Sequence, residues 1–252
     1  MLSKEQCKLA VNNWKITRPD YSKINELINP TSVFNFSPED CQWISENSKK
    51  SDLHTYIGAF ENQLFLIVVP LDTDGTELNL ANYLATPLSP LAQELILSET
   101  DVVTTTKKTT LSTDLAVTKD VVENDLPTTN EPTITERVSV NDIEQWKNEC
   151  SDWFYYESTN HGGERIFRTF EVPFADLTTE IEEHDSAVAF FGFKHSAIYN
   201  MQIPILIFVS LNSQTAQGKI MRNSELVTNT KDYSHPCPPA CKNSANYTIF
   251  NS

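Results

Sequence analysis

Glycine and positive charge are scarce in this chain of 252 residues: it has six glycines, and no run of Lys and Arg exceeds two residues. With so few glycines there is no phosphate loop or dinucleotide fingerprint, both of which need glycine where the backbone closes on phosphate. No nucleophile elbow or complete metal motif is present either. The formal net charge of −15 excludes a nucleic-acid surface, which needs clustered Lys and Arg to displace counterions. An anionic membrane is disfavoured on the same ground. No apolar run approaches the ~18–20 residues that span a bilayer, and the polar, helix-periodic start Met1–Trp14 lacks the apolar centre of an export signal. Cytoplasmic residence is the expectation. The odd count of five cysteines, with Cys7, Cys41 and Cys150 isolated, argues against a disulfide framework.

What the chain does have is a dense pattern from Phe167 to Phe193. Thr169–Val172 alternates in polarity like a half-buried strand, and Pro173 ends it because proline has no N–H to donate. Phe174, Leu177 and Ile181 fall on one helical face. Asp185-Ser186 turns the chain into a buried strand, Ala187–Phe193, interrupted by Gly192. Val33–Phe60 repeats this order more weakly. Phe34 and Phe36 alternate, a proline follows, a short helix carries Cys41 and Ile44, and Ile57-Gly58-Ala59-Phe60 closes the unit. An apolar run follows each unit, Leu64–Val69 and Ile203–Val209. Helical preludes match as well, with Ser3–Cys7 set against Ser139–Ile143. The pattern predicts an internal duplication.

The expected architecture is α+β, as two related small domains. Each has an amphipathic helix, a strand-helix-strand unit and a further buried strand. Residues 1–98 form the first repeat and 134–230 the second. Between them, residues 99–133 are rich in Thr, Val, Pro and acids and lack aromatics. Glu99–Glu136 carries eight acids against three lysines, a net of −5. Such a stretch buries too little apolar surface to offset chain entropy, which predicts a flexible acidic linker. Ser3 with Gln6 forms a capping box opening a helix to Trp14, with Cys7, Ala10, Val11 and Trp14 on its core face. Tyr21–Ile28 predicts a second short helix. Pro70–Gly75 reads as a turn rather than a calcium loop, since the terminal glutamate of that loop is missing. Asn79–Leu97, cut by Pro87 and Pro90, is expected to pack on the first repeat. Ser139–Tyr156 predicts the helix of the second, and His161 falls in the turn after it.

Residues 231–252 form a tail around Asp232-Tyr233-Ser234-His235-Pro236-Cys237-Pro238-Pro239-Ala240-Cys241. Three readings of it stand open. In the first it is a proline-stiffened tail, extended as polyproline II, that lies across the domain or docks elsewhere, with Asp232, Tyr233, His235, Pro238 and Pro239 as contact residues. Alternatively His235, Cys237 and Cys241 are three ligands of a zinc site whose fourth ligand is not evident. In the third, Cys237 and Cys241 are a disulfide or redox pair. This tail, the Pro173–Leu177 stretch and the Leu206–Asn212 strand resemble a group of uncharacterised proteins common in Bacteroidota that end in Tyr-Ser-x-Pro-Cys-Pro-Pro-x-Cys. The resemblance covers the second repeat well and the first faintly, and it implies no activity.

Three functions follow. The favoured one is a non-catalytic interaction or adaptor protein of two tethered repeats. The second is an acidic neutraliser, of the immunity-protein kind, masking a basic effector. The third is a small metalloprotein or enzyme using His235, Cys237 and Cys241, with His195 or His184. The acidic run Glu180, Glu182, Glu183 and Asp185 reads as a solvated helix face. A protein partner is expected, a basic one where the charge of −15 attracts it; nucleic acid and membrane are not.

Overall fold

Ser3 opens the first helix as the sequence predicts: its Oγ accepts the Gln6 N–H at 3.3 Å, and Gln6 Oε1 accepts the Ser3 N–H at 2.9 Å. The computed structural model describes residues 1–50, 52–101, 105–123, 136–173, 186–196, 201–211, 235–238, 247–248 and 250. The helices are α1 (Lys4–Thr17), α2 (Tyr21–Leu27), α3 (Pro38–Asn47) and α4 (Glu136–His161). The main strands are β1 (Leu2–Ser3), β2 (Ser32–Phe36), β3 (Asp52–Phe60), β4 (Gln63–Pro70) and β5 (Asn82–Pro90). Next come β6 (Leu95–Asp101), β7 (Thr105–Leu111) and β8 (Val117–Glu123), then β9 (Thr169–Pro173), β10 (Ser186–Ser196), β11 (Met201–Leu211) and β12 (His235–Cys237). The helix expected over Phe174–His184 lies outside the described residues, as does Tyr199.

The chain is a mixed α+β protein, and its principal sheet is antiparallel in the order β11-β10-β2-β5-β4-β3-β9-β12, with β1 added on β5. β12 also lies against β11, which brings the sheet close to a closed barrel. Segments 1–98 and 134–230, expected as separate domains, instead contribute strands to this one sheet: β2 pairs with β10 and β3 with β9. Each segment by itself leaves strand edges with unpaired backbone groups, and the other segment satisfies them. A second correction concerns 99–133. Its described part is not a free linker, because β6, β7 and β8 form a three-stranded antiparallel sheet.

β5 shows how two prolines fit inside a central position. β4 pairs with Leu84–Pro87 and β2 with Leu88–Pro90, so β5 changes partner midway and each proline ends a ladder.

Alternation along the strands divides the core. Leu53, Ile57, Leu66, Val68, Phe191 and Phe208 join one large cluster with Trp14, Trp146 and Phe167. On the other face, Tyr56, Ile67, Val69 and Tyr83 pack with Cys7 and Ala10 of α1. Val188, Phe190, Ile205 and Ile207 pack with Ile143 of α4 and with Leu95, Leu111 and Leu115 around the small sheet. Burial pushes the thiols of Cys7 and Cys150 up to about 12, so both are packing groups rather than nucleophiles at neutral pH.

Candidate functional site

In the described part of the predicted tail site, His235 and Cys237 are built into the sheet. β12 pairs with β9, setting His235 opposite Glu171 and Cys237 opposite Thr169. Arg168 N donates to the Cys237 carbonyl at 2.9 Å. Pro236 and Cys237 are buried and Pro238 is half-buried. This part of the tail is therefore a strand and not a free docking element. Cys237 is disulfide-bonded, and a disulfide sulfur is not the thiolate that the zinc reading requires. Asp232, Tyr233, Pro239, Cys241 and His184 lie outside the described residues. Among the described residues no group of three His, Cys, Asp or Glu side chains is placed to hold a metal, and no helix is long and apolar enough to cross a membrane.

The remaining predicted positions are dispersed. His195 is exposed near the end of β10, opposite Gln202. His161 is the last residue of α4 rather than part of a loop. Its ring meets Tyr156 edge-on at 5.5 Å, and Nε2 is 3.0 Å from Arg165 Nη1. At Pro70–Gly75 the expected turn forms, with Asp72 Oδ1 accepting the N–H groups of Asp74 and Thr76, each at 2.9 Å.

Two surfaces missing from the sequence reading stand out. The first is the outward face of α4. Ile143, Trp146, Cys150 and Phe154 anchor the helix in the core, which turns Glu149, Asp152, Tyr155 and Tyr156 outward at helical spacing. Tyr155 is 58% exposed and Tyr156 52%, and Tyr155 meets Tyr21 of α2 edge-to-face at 5.4 Å. Beneath them Glu157 is buried, 3.4 Å from Arg165 Nε. Burial raises its pKa, opposed by Arg165 and His161. A carboxyl raised in the folded state binds more protons there than in the unfolded chain. Its contribution is complete below the ordinary value of 4.5 and is lost as pH rises through the folded value. Chemical denaturation from acid to neutral pH is therefore expected to show a shallower decline in stability for Glu157→Gln than for the natural chain; equal slopes would contradict this.

The second surface surrounds Glu77, whose side chain is fully buried. Oε1 accepts from His54 Nδ1 at 2.8 Å and from the Tyr56 hydroxyl at 2.5 Å. Oε2 accepts the Thr248 N–H at 2.9 Å and lies 3.5 Å from its hydroxyl. Tyr247 stacks on His54 with centroids 4.1 Å apart, and Phe250 meets Tyr56 and Tyr83 at 4.9 and 5.1 Å. Burial pushes the Tyr247 hydroxyl pKa upward. A single acid between two strands carries no local signature. Its partners are 21, 23 and 171 residues away, so only the fold reveals it.

No protein-family model, curated protein or solved structure matches the chain.

Proposed function

We propose that the chain is a duplicated α+β binding protein acting without catalysis, and that the outward face of α4 takes a basic segment of a protein partner. The strand ring supports the duplication. Exchanging β2, β3, β4 and β5 with β9, β10, β11 and β12 leaves the ring order unchanged. The registers follow: Phe36 faces Ala187 as Val172 faces Leu53, and Phe34 faces Ala189 as Phe170 faces Thr55. Gly58 and Gly192 match too. A Cβ on Gly58 would lie 2.8 Å from Ala10 and 3.0 Å from Ile67, and one on Gly192 would lie 2.8 Å from Ile207 and 3.4 Å from Asp142. Ala10 thus corresponds to Asp142 and Trp14 to Trp146, each Trp ring packing near Phe167 at 6.1 and 6.2 Å. This alignment lies one helical turn from the Ser3–Ser139 match that the sequence suggests.

The observation that carries the binding reading is the pair of exposed tyrosines with Asp152 one helical turn away and Glu149 a turn beyond it. Tyrosine is enriched in interface cores. Its ring face attracts Lys and Arg, as do Glu149 and Asp152, and the charge of −15 raises the encounter rate with a cationic partner. The neutraliser reading shares this chemistry and differs only in the partner's identity. Titrating the full chain with an oligo-arginine peptide tests the site. Binding is expected to weaken with salt, and Tyr155→Ala/Tyr156→Ala to weaken it about tenfold at unchanged net charge. Equal binding by the double variant would remove α4 from the reading and leave only non-specific attraction.

A further inference from the structure

We propose that the Glu77 face of the barrel is a peptide-recognition site for a Tyr-Thr-x-Phe segment. The chain's own C-terminus occupies it here, and the site accepts the same segment supplied from outside. This rests on a different face from α4 and uses a different probe, so the two readings fail independently.

The site has two parts by which a peptide is recognised: a hydrogen bond to its main chain and spaced side-chain pockets for selectivity. His54 and Tyr56 receive Tyr247, with ring centroids at 4.1 and 5.8 Å. Tyr56 and Tyr83 receive Phe250 three residues on. Between the two pockets Glu77 Oε2 accepts the main-chain N–H of Thr248. The carboxylate is fixed beforehand, since His54 Nδ1 and the Tyr56 hydroxyl both hold Oε1, so little ordering remains to be done on binding.

The related face on β10 and β11 shows that merely covering the barrel does not need this chemistry. Under the exchange of repeats His54 and Tyr56 correspond to Val188 and Phe190, which share one hydrophobic cluster with Leu95, Leu111 and Leu115. One repeat is closed by an apolar insertion, whereas the other reads a carboxylate-bound N–H and two aromatic rings. The polar reading is thus an addition specific to the face that the C-terminus occupies.

Chain connection explains how a contact with so few anchors stays filled. Nine residues separate Cys237 from Tyr247, a reach of about 30 Å. β12 is two strands from β3 in the sheet, a distance of about 10 Å. The tethered segment therefore competes at an effective concentration on the order of millimolar, which masks the site from any free peptide of modest affinity.

The probe is a labelled synthetic peptide of residues 243–252, Asn-Ser-Ala-Asn-Tyr-Thr-Ile-Phe-Asn-Ser, titrated into full-length chains. The Tyr247→Ala/Phe250→Ala chain is expected to bind it at least about tenfold more tightly than the natural chain. Adding Glu77→Gln is expected to remove about tenfold of that gain. Equally weak binding by the natural and double-variant chains overturns the proposal and leaves the C-terminus as a structural plug. The natural chain supplies a second measurement that does not depend on how the variants fold. Millimolar unlabelled peptide is expected to accelerate hydrogen exchange at the Thr248 amide while amides of β4 stay protected. A peptide with both aromatics replaced by alanine is expected to leave Thr248 unchanged. Thr248 protection that the natural peptide does not alter overturns the proposal as well.

Discussion

Trp146→Ala is expected to cost about 3–5 kcal/mol and to lower the melting temperature by roughly 6–20 °C, at about 2–4 °C per kcal/mol for a chain of this size. Trp146 is 1% exposed. It stacks on Phe191 with centroids at 4.6 Å and an interplanar angle of 23°, and meets Phe193 at 5.0 Å and Phe154 at 5.6 Å. Each ring pair adds roughly 0.5–1.5 kcal/mol beyond the area it buries. Truncation also leaves a void among rings that belong to α4, β10 and the segment before β9, which cannot all move to fill it. Trp146→Phe should recover most of the loss. Trp14→Ala should be of similar size, since Trp14 is also 1% exposed, packs on Phe167 with centroids at 6.1 Å, and its Nε1 donates to the Phe167 carbonyl at 2.9 Å. A fall below about 2 °C in Trp146→Ala, measured calorimetrically, would remove this aromatic cluster from the centre of the fold.

Adjacent glycines give the second large effect and its control. Gly162 and Gly163 both have positive φ, 58° and 70°, so alanine at either place meets backbone strain of about 1 kcal/mol. Their surroundings differ. A Cβ on Gly162 would meet nothing within 4 Å, whereas one on Gly163 would lie 2.3 Å from the Arg18 carbonyl oxygen. Moving that oxygen alone does not relieve the contact, because the Arg18 carbonyl carbon at 2.4 Å and the Pro19 nitrogen at 2.8 Å crowd the same Cβ. The buried Arg18 guanidinium donates to the Gly163 and Ile166 carbonyls at 3.1 and 2.8 Å. Burial and the charge of Arg168 lower its pKa to about 10, which still leaves it charged at neutral pH. Gly163→Ala is therefore expected to cost about 3 kcal/mol or more, against about 1 kcal/mol for Gly162→Ala. Urea titration of both variants isolates the contact between the α1 end and the α4 end; equal losses would mean that backbone strain alone acts.

The parts of the fold legible in the sequence are those with local periodicity. Ser3 and Gln6 mark the start of α1, Phe34/Phe36 and Phe170/Val172 mark β2 and β9, and the apolar runs mark β4 and β11. Within 99–133 the lack of aromatics hides a strand preference. Thr and Val favour strands, and β7 carries four Thr and β8 three Val and one Thr in seven residues each. The turn at Ser112–Leu115 between β7 and β8 was the available clue. Pairing between halves was not legible at all. Nothing in Phe36 or Leu53 names Ala187 or Val172 as a partner, since register across so many residues is decided by the finished sheet. The Glu77 site fails for the same reason, and the α4 face because exposure of Tyr155 and Tyr156 depends on which side of the helix the core claims.

The interleaved strand order has a consequence for how the chain is made. When β2 through β5 have left the ribosome, their ladder is complete only inward. The edges of β2 and β3 that will receive β10 and β9 remain open until chain lying 79 residues (Thr169, the start of β9) and 96 residues (Ser186, the start of β10) beyond Pro90 is synthesised. At about 5–20 residues per second these edges wait for several seconds or more, offering backbone to any neighbouring chain. Folding thus ends with late, distant pairings, which are slow for entropic reasons. Nascent chains of this protein are expected to need protection during that interval, and fragments ending before β9 to aggregate where the full chain stays dispersed.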